Sequence, residues 1–508
     1  MGMGSEMGGV NYGALMRGAA PELIVLATAL VVLLADLAGL RGVSLRVRWL
    51  LTGLMSWAGC GVAAVVLLHG TTGFQAATGP LGFAVDGLAV WVKGVVLLLS
   101  ALTVGLSMAS ARTRHVGEYL ALILLGTVGL MVLAGAGDLL MVFLALELSS
   151  LVLYVLTGFD KERGEAGEAA LKYFLVGSVA AAFTLYGMSL LYGVTGTTRL
   201  EGMAQGVGGA PMGVTLWAGL VLVVAGLAFK VAAAPFHLWA PDAYQAAPTP
   251  SAALIASGSK VAAFAVLVRV LMTGLPQGAG SAGWGAWVPG WSVLLAVLSV
   301  VSLVWGNLAA LVQSNVRRLL AYSAVAHAGY GLLGLVAQDR AGVAALMYFA
   351  ATYALSAVGA FGVVSVVEAQ RGGQARLADF AGLSRRAPGV ALCLMVFLLS
   401  LAGIPPLAGF FGKFYLFVAA LGSGGSLGLL WLVILAVALS TVSLYYYLLV
   451  LKEAWVRSPL SEGDEAGWEI PWQVRVTLWV AALGVVLLGM FPSPVLRSLE
   501  SALAGSGL

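Results

Sequence analysis

Long apolar runs separated by short polar breaks recur from one end of this chain to the other. Each run is about 18 to 30 residues, enough to cross ~30 Å of hydrocarbon as a helix. The pattern predicts fourteen helices, near 22–40, 48–69, 87–109, 116–133, 137–158, 166–194, 211–240, 250–274, 288–312, 316–337, 341–368, 388–421, 425–451 and 472–492. The ten-residue alternation of a membrane β-barrel is absent. The first run is too long and too poorly flanked for a cleaved signal peptide, so it predicts the first span. The connections are mostly short, which makes residues 1–508 one membrane domain. The longest, Lys452 to Pro471, carries Glu453, Glu462, Asp464, Glu465 and Glu469 and predicts a solvated loop. The fold class is an all-α polytopic membrane protein.

Composition agrees. The chain is 61% hydrophobic and 9% charged, with a mean hydropathy of +1.00, whereas soluble domains carry roughly 25% charged residues. The basic residues set an orientation. Connections after odd-numbered helices hold Arg41, Arg46, Arg48, Arg112, Arg114, Lys161, Arg163, Arg317, Arg318, Arg371, Arg376, Arg385, Arg386, Lys452 and Arg457, with Arg475 at the start of the last helix. The opposite side has Arg17, Arg199, Arg340 and Arg497, with Arg269 near a helix end. The odd connections are therefore expected to be cytoplasmic and both termini outside. The net charge of +4 follows from this bias and does not point to nucleic acid. Cys60 and Cys393 each stand alone in an apolar run and read as small buried hydrophobes. Without CxxC spacing or a GxGxxG turn, the chain offers no iron–sulfur, zinc or dinucleotide site.

Candidate chemistry lies in the charges inside the runs, because a charge at the bilayer centre costs at least ~2.5 kcal/mol. Among the acids, Glu22 and Asp36 fall near the ends of the first helix and Asp138 opens the fifth. Glu147 alone reads as deep, about ten residues into its helix and roughly 15 Å from the surface. Lys230 precedes Pro235 in the seventh helix, and Lys413 follows Pro405-Pro406 and Gly409 in the twelfth. Proline removes a backbone donor and clashes with the preceding turn, so both helices should kink or break. Broken helices at membrane depth belong inside protein or beside a wet cavity, where half-helix ends can hold ions. Lys260 follows Ser257-Gly258-Ser259 near the middle of the eighth helix. Lys172 lies nearer the cytoplasmic end of the sixth, where relay and snorkelling are both open. Lys93, early in the third, reads as snorkelling. His237 and His327 read equally as relays and as hydrogen-bonded structural histidines. Tyr445-Tyr446-Tyr447 reads as an interface anchor. A static buried ion pair remains the plain alternative for Glu147.

The motifs carry a resemblance. Pro21-Glu22-Leu23-Ile24, Leu146-Glu147-Leu148-Ser149-Ser150-Leu151, Leu171-Lys172-Tyr173-Phe174 and Phe229-Lys230 fall in the first half. Pro235-Phe236-His237-Leu238-Trp239-Ala240-Pro241-Asp242, Ala247-Pro248-Thr249-Pro250, Arg318-Leu319-Leu320-Ala321-Tyr322-Ser323 and Ala326-His327-Ala328-Gly329-Tyr330 follow. Gly403-Ile404-Pro405-Pro406 and Gly409-Phe410-Phe411-Gly412-Lys413-Phe414 complete the set. Together they resemble the antiporter-like membrane subunits of respiratory complex I, and most of all the subunit N branch. The chain is expected to end soon after helix fourteen with no long lateral helix appended, its tenth helix reads Ala-His-Ala-Gly-Tyr, and Pro-Glu-Leu-Ile stands near its start.

That resemblance implies two inverted five-helix repeats, 116–274 (helices 4–8) and 288–451 (helices 9–13), with helices 7 and 12 broken. It implies a coupled Glu147–Lys230 pair, with Lys260, Lys413 and Lys172 in proton transfer. It places NADH oxidation, FMN, iron–sulfur clusters and the quinone pocket in other subunits, so this chain binds no cofactor and no metal. Its partners would be an antiporter-like neighbour, small membrane subunits and the lipid of a bacterial inner membrane. Rival readings are an Mrp-type Na⁺/H⁺ antiporter or membrane hydrogenase subunit, and a structural subunit whose buried charges only hold the bundle.

Overall fold

The computed structural model describes residues 16–70, 82–108, 113–207, 213–372, 375–423, 427–458 and 467–506. Its helices are α1 (Ala20–Leu34), α2 (Leu45–Gly70), α3 (Gly87–Ser107), α4 (Val116–Ala134), α5 (Leu139–Thr157) and α6 (Gly164–Thr195). Next come α7 (Leu200–Val207), α8 (Val214–Lys230), α9 (Ala240–Ala246), α10 (Thr249–Ala256), α11 (Gly258–Val268) and α12 (Trp291–Leu311). The rest are α13 (Val316–Val336), α14 (Arg340–Arg371), α15 (Pro388–Ala402), α16 (Ala408–Gly422), α17 (Leu430–Trp455), α18 (Trp472–Met490) and α19 (Pro492–Ala504). Twelve stretches are long and apolar enough to cross a membrane, and α10 with α11 forms one of them. The seventh span is assembled from α8 and α9 and the twelfth from α15 and α16, which brings the spans to the fourteen expected. Arg112, Glu462, Asp464, Glu465 and the starts of the expected seventh and thirteenth helices lie outside the described residues.

Capping residues show why the helices start where they do. Asp86, Asp138, Asn315 and Asp339 are N-caps whose side chains accept from Ala89, Leu140, Arg318 and Gly342 amides, answering donors the first turn leaves open. The two longest helices, α6 and α14, each end on a left-handed glycine, Gly196 (φ 72°) and Gly372 (φ 64°).

A local pattern then repeats along the chain. Asp138 and Arg199 form an antiparallel bridge beside the start of α5, and Asn315 and Arg376 form one beside the start of α13. In the first, Leu139 N–H donates to Thr198 O and Leu200 N–H to Gly137 O; in the second, Val316 N–H donates to Ala375 O and Leu377 N–H to Ser314 O. Every partner in the second set lies 177 positions after its counterpart (138 to 315, 199 to 376).

The odd connections share one face. One cavity of about 940 Å³ is lined by Arg46, Thr113–His115, Asp160–Arg163, Ala247–Pro250, Arg317, Glu368–Gln370 and Glu469–Pro471, which samples all seven of them.

Buried ion pairs tie the first three helices to the remainder, which revises several expectations. Asp36 takes two bonds from Arg48 (2.8 and 2.7 Å) and one from the Gly117 amide (2.9 Å). Lys93 is 1% exposed and pairs with Glu22 at 2.8 Å, beneath the face of Phe83. It therefore does not snorkel: α1 covers it and supplies its counter-ion. Arg269 spans to Asp86 with two bonds of 2.8 and 2.6 Å and also donates to Ala134 O. Glu22, Asp36 and Glu368 are buried too, but each lies near the end of its helix, whereas Glu147 stands at the middle of α5. Tyr446 and Tyr447 are fully buried, donating to Asn307 and bonding Ser323, and only Tyr445 faces outward. The interface-anchor reading fails because α17 turns that pair of rings into the bundle.

α12 packs tightly against α13 at Gly306. A Cβ on Gly306 would lie 2.5 Å from the Ala326 nitrogen and 2.8 Å from Tyr322 O, so the clash is with backbone. Gly306→Ala should therefore lower stability by about 1–3 kcal/mol. The check is the thermal midpoint of the purified complex, and an unchanged midpoint would show that α12 can slide.

Candidate functional site: a line of buried lysines at helix breaks

The seventh span opens immediately after Lys230, and residues 231–239 leave the helix. The freed backbone groups find side-chain partners: Ser302 accepts from the Ala234 amide at 2.9 Å, and the Trp239 indole donates to Phe229 O at 3.2 Å. Trp239 stacks flat on Tyr173 with ring centres 3.9 Å apart, which fixes the break against α6. Lys230, 2% exposed, donates to Ser149 (3.1 Å) and Ser150 (2.8 Å) on α5.

Glu147 stands beside those serines but no ion pair joins it to Lys230 among the described residues. Two hydroxyls take the ammonium directly, while Glu147 stays near enough to act on it electrostatically. Glu147 itself is half-buried, because its side of α5 also presents Leu144, Leu148 and Leu151 outward.

The twelfth span opens between Gly403 and Leu407. Ser400 caps the restart by accepting from the Gly409 amide at 3.1 Å, and it is held by Ser356 at 2.9 Å. Lys413 reaches back across the gap to the last carbonyl of α15, donating to Ala402 O and Ser440, each at 2.9 Å. A cation there meets the negative end of a helix. A third interruption was not expected: Ser257 (φ −113°, ψ −79°) separates α10 from α11. Lys260 follows it, 1% exposed, and donates to Ala324 O.

One helix joins the last two lysines. Ala324, His327 and Tyr330 are spaced by three along α13 and so share a face. His327 bonds the Ser323 carbonyl through Nδ1 at 2.8 Å. The Tyr353 ring lies 5.4 Å from the Lys260 ammonium and 4.7 Å from the His327 ring. The Tyr330 ring lies 5.8 Å from His327 and 4.7 Å from the Lys413 ammonium. His327 therefore sits between Lys260 and Lys413.

Two other candidates fall off this line. Lys172 is 49% exposed on the basic face, paired with Glu168 (2.6 Å) and with Asp242 (3.0 Å), which also holds Arg318 at 2.7 Å. Its place near the end of α6 puts it in reach of acids instead of the interior. His237 is buried within the first break, edge-on to Trp305 and Tyr322, and bonds none of the lysines.

The floor of the 940 Å³ cavity adds residues that sequence reasoning passed over. Glu368 accepts from Thr249 and from Arg317, and Arg317 also donates to the carbonyls of Tyr244 and Ala247. Tyr119 bonds Ser251 at 2.7 Å two residues further along α10, towards the Ser257 break. Ser149 and Ser150 stood inside a quoted motif, so proximity to Glu147 was their signal. Ser440, the Ala324 carbonyl and Glu368 had none, since each meets its partner only across the fold.

A polytopic helical bundle with buried lysines at interrupted helices defines a membrane ion-path protein of the antiporter type. Residues 136–442 match the model of the family described as NADH:quinone oxidoreductase/Mrp antiporter, transmembrane. The chain belongs to that family. The NADH-quinone oxidoreductase subunit N 2 of Acidobacterium capsulatum is 47% identical over 504 residues, covering 97% of this chain and 100% of that protein. A chain of respiratory complex I from Thermus thermophilus with bound aureothin is 35% identical, with a TM-score of 0.76 over 94% of this chain and 99% of its own length. A chain of the Mrp complex of a Dietzia species, 22% identical with a TM-score of 0.81 over 96% and 97%, shares the fold.

Proposed function

We propose a route by which this chain, a proton-translocating membrane subunit of an NADH-quinone oxidoreductase, moves its protons. The observation that carries it is the line Lys260–His327–Lys413 along α13, continuous with the helix breaks. Protons enter from the basic, cytoplasmic face through the cavity floored by Thr249 and Glu368. They load Lys230 and Lys260, cross to Lys413 by way of His327, and leave on the opposite side. Water bridges the step between Lys230 and Lys260. Redox cofactors belong to other subunits of the complex.

Glu147 governs Lys230. Pairing with Glu147 would hold the Lys230 proton, and separation of the two would release it to the route. A half-buried carboxylate on an outward face of α5 is costly against lipid. A neighbouring antiporter-like or small membrane subunit covers that face and biases Glu147. Lys172 with Glu168 and Asp242 forms an acidic–basic collector at the entry instead of a step inside. The 177-residue recurrence, on the outer face first and the basic face second, supports 116–274 and 288–451 as inverted repeats. The bilayer is the bacterial inner membrane, with both termini outside.

The test is Glu147→Gln in vesicles. Proton pumping should fall several-fold, with the complex fully assembled. Intact pumping with poor assembly would replace this reading with a purely structural role for the glutamate.

A further inference from the structure

A run of buried polar side chains links α12, α13 and α17 and ends at His327. Asn307, Ser323, Tyr446 and Tyr447 are each at most 1% exposed, and the route above gives them no part. Asn307 anchors the far end. Its Nδ2 donates to Leu303 O at 2.8 Å, which turns Oδ1 towards Tyr446 at 3.1 Å. An amide oxygen only accepts, so Tyr446 donates its hydrogen there and its own oxygen stays open. The Tyr447 phenol lies in bonding reach of that oxygen, with the ring centres 4.5 Å apart. Once Tyr447 donates to Tyr446, it accepts from Ser323 Oγ. Ser323 then has no hydrogen left for His327, whose Nδ1 faces the Ser323 hydroxyl at 3.4 Å and the Ser323 carbonyl at 2.8 Å. Both oxygens act as acceptors, so Nδ1 carries the hydrogen and Nε2 is bare. One amide thus fixes the direction of every bond from Asn307 to the imidazole.

We propose that this chain of hydrogen bonds sets the tautomer of His327, with Tyr447 as the positioning residue, so that Nε2 alone serves both lysines. The inference rests on the proton route through His327 given above. Nε2 lies on the far side of the ring from Ser323. It takes a proton from the Lys260 ammonium, which becomes a neutral amine, and the imidazolium passes that proton from the same nitrogen to a neutral Lys413. Water carries whatever gap remains on either side. Nδ1 keeps its own proton throughout, because Ser323 offers it only acceptors. The opposite tautomer would put its bare nitrogen against Ser323 and an N–H on the side of the lysines, where it could take nothing from Lys260.

The experiment is solid-state NMR of the assembled complex carrying isotope-labelled histidine, with the His327→Gln spectrum subtracted, run beside vesicle pumping. The wild-type protein should show His327 protonated at Nδ1 and bare at Nε2. Tyr447→Phe keeps the ring but removes the acceptor, which frees the Ser323 hydroxyl to donate to Nδ1. A proton should then appear on Nε2, and pumping should fall several-fold. Adding Ser323→Ala takes that hydroxyl away and should restore both the tautomer and the pumping, which a packing defect would not do. Tyr445→Phe, on the outward side of α17, should change neither. An unchanged tautomer in Tyr447→Phe, or a double variant that stays impaired, would overturn the proposal. His327→Gln separates this from the route itself. Normal pumping there removes the route, whereas lost pumping there with normal pumping in Tyr447→Phe removes only the tautomer control.

Discussion

Lys230→Ala should abolish proton pumping and quinone reduction together in an assembled complex, with each falling by roughly 10²-fold. The residue ends α8 at the point where the seventh span opens, and its ammonium is held by Ser149 and Ser150 beside Glu147. Alanine removes the only titratable side chain at that break that faces α5. The neighbouring serines would then bond each other or water, and Glu147, which loses a nearby cation, is only half-buried, so assembly should survive. Vesicle pumping measured with quinone reduction and a blue-native assembly check separates the outcomes. If both activities persist at the wild-type level, Lys230 is structural and the proton path lies elsewhere.

Asp86→Ala should fail in a different way, at the level of stability. Asp86 caps α3 by accepting from the Ala89 amide and also holds Arg269 with two bonds, both side chains being buried. Removing one partner of a buried pair costs about 3–5 kcal/mol, because the other charge is left unpaired. Losing the cap adds about 1 kcal/mol. The expected result is little assembled complex in the membrane, read by immunoblot against a quantified reference subunit. Asp86→Asn keeps the cap and drops the charge, so it should fall between. Normal assembly of the alanine variant would mean that Arg269 finds solvent or another acceptor.

The two lysines share a design that the residues announced only in part. Pro235 and Pro405-Pro406 beside Lys230 and Lys413 were visible, since proline interrupts a helix wherever it falls. The break at Ser257 was not, because Ser-Gly-Ser is compatible with a continuous helix and only the surrounding packing opens it. Lys93 and Lys172 show the same limit in opposite directions. Each lies a few residues inside an apolar run, and depth along a run does not say which face of the helix meets protein. For Lys93 that face meets Glu22 on α1, and for Lys172 it meets solvent-side acids. The repeat was also hidden, because lysine precedes the proline in one half and follows it in the other. The recurrence appears in backbone bridges whose shared side chains, an Asp or Asn N-cap paired with an arginine, are too few and too far apart in the chain to announce a repeat.

By itself the sequence determined the number of spans, the basic face, the helix breaks at proline and the family, because run length, charge bias and proline chemistry act locally. Only the tertiary structure decided which buried charges meet. It set Lys230 on two serines instead of Glu147, placed His327 between Lys260 and Lys413, and turned Lys172 to the surface. A charge's partner depends on the rotation of each helix about its own axis, and packing against neighbours sets that rotation.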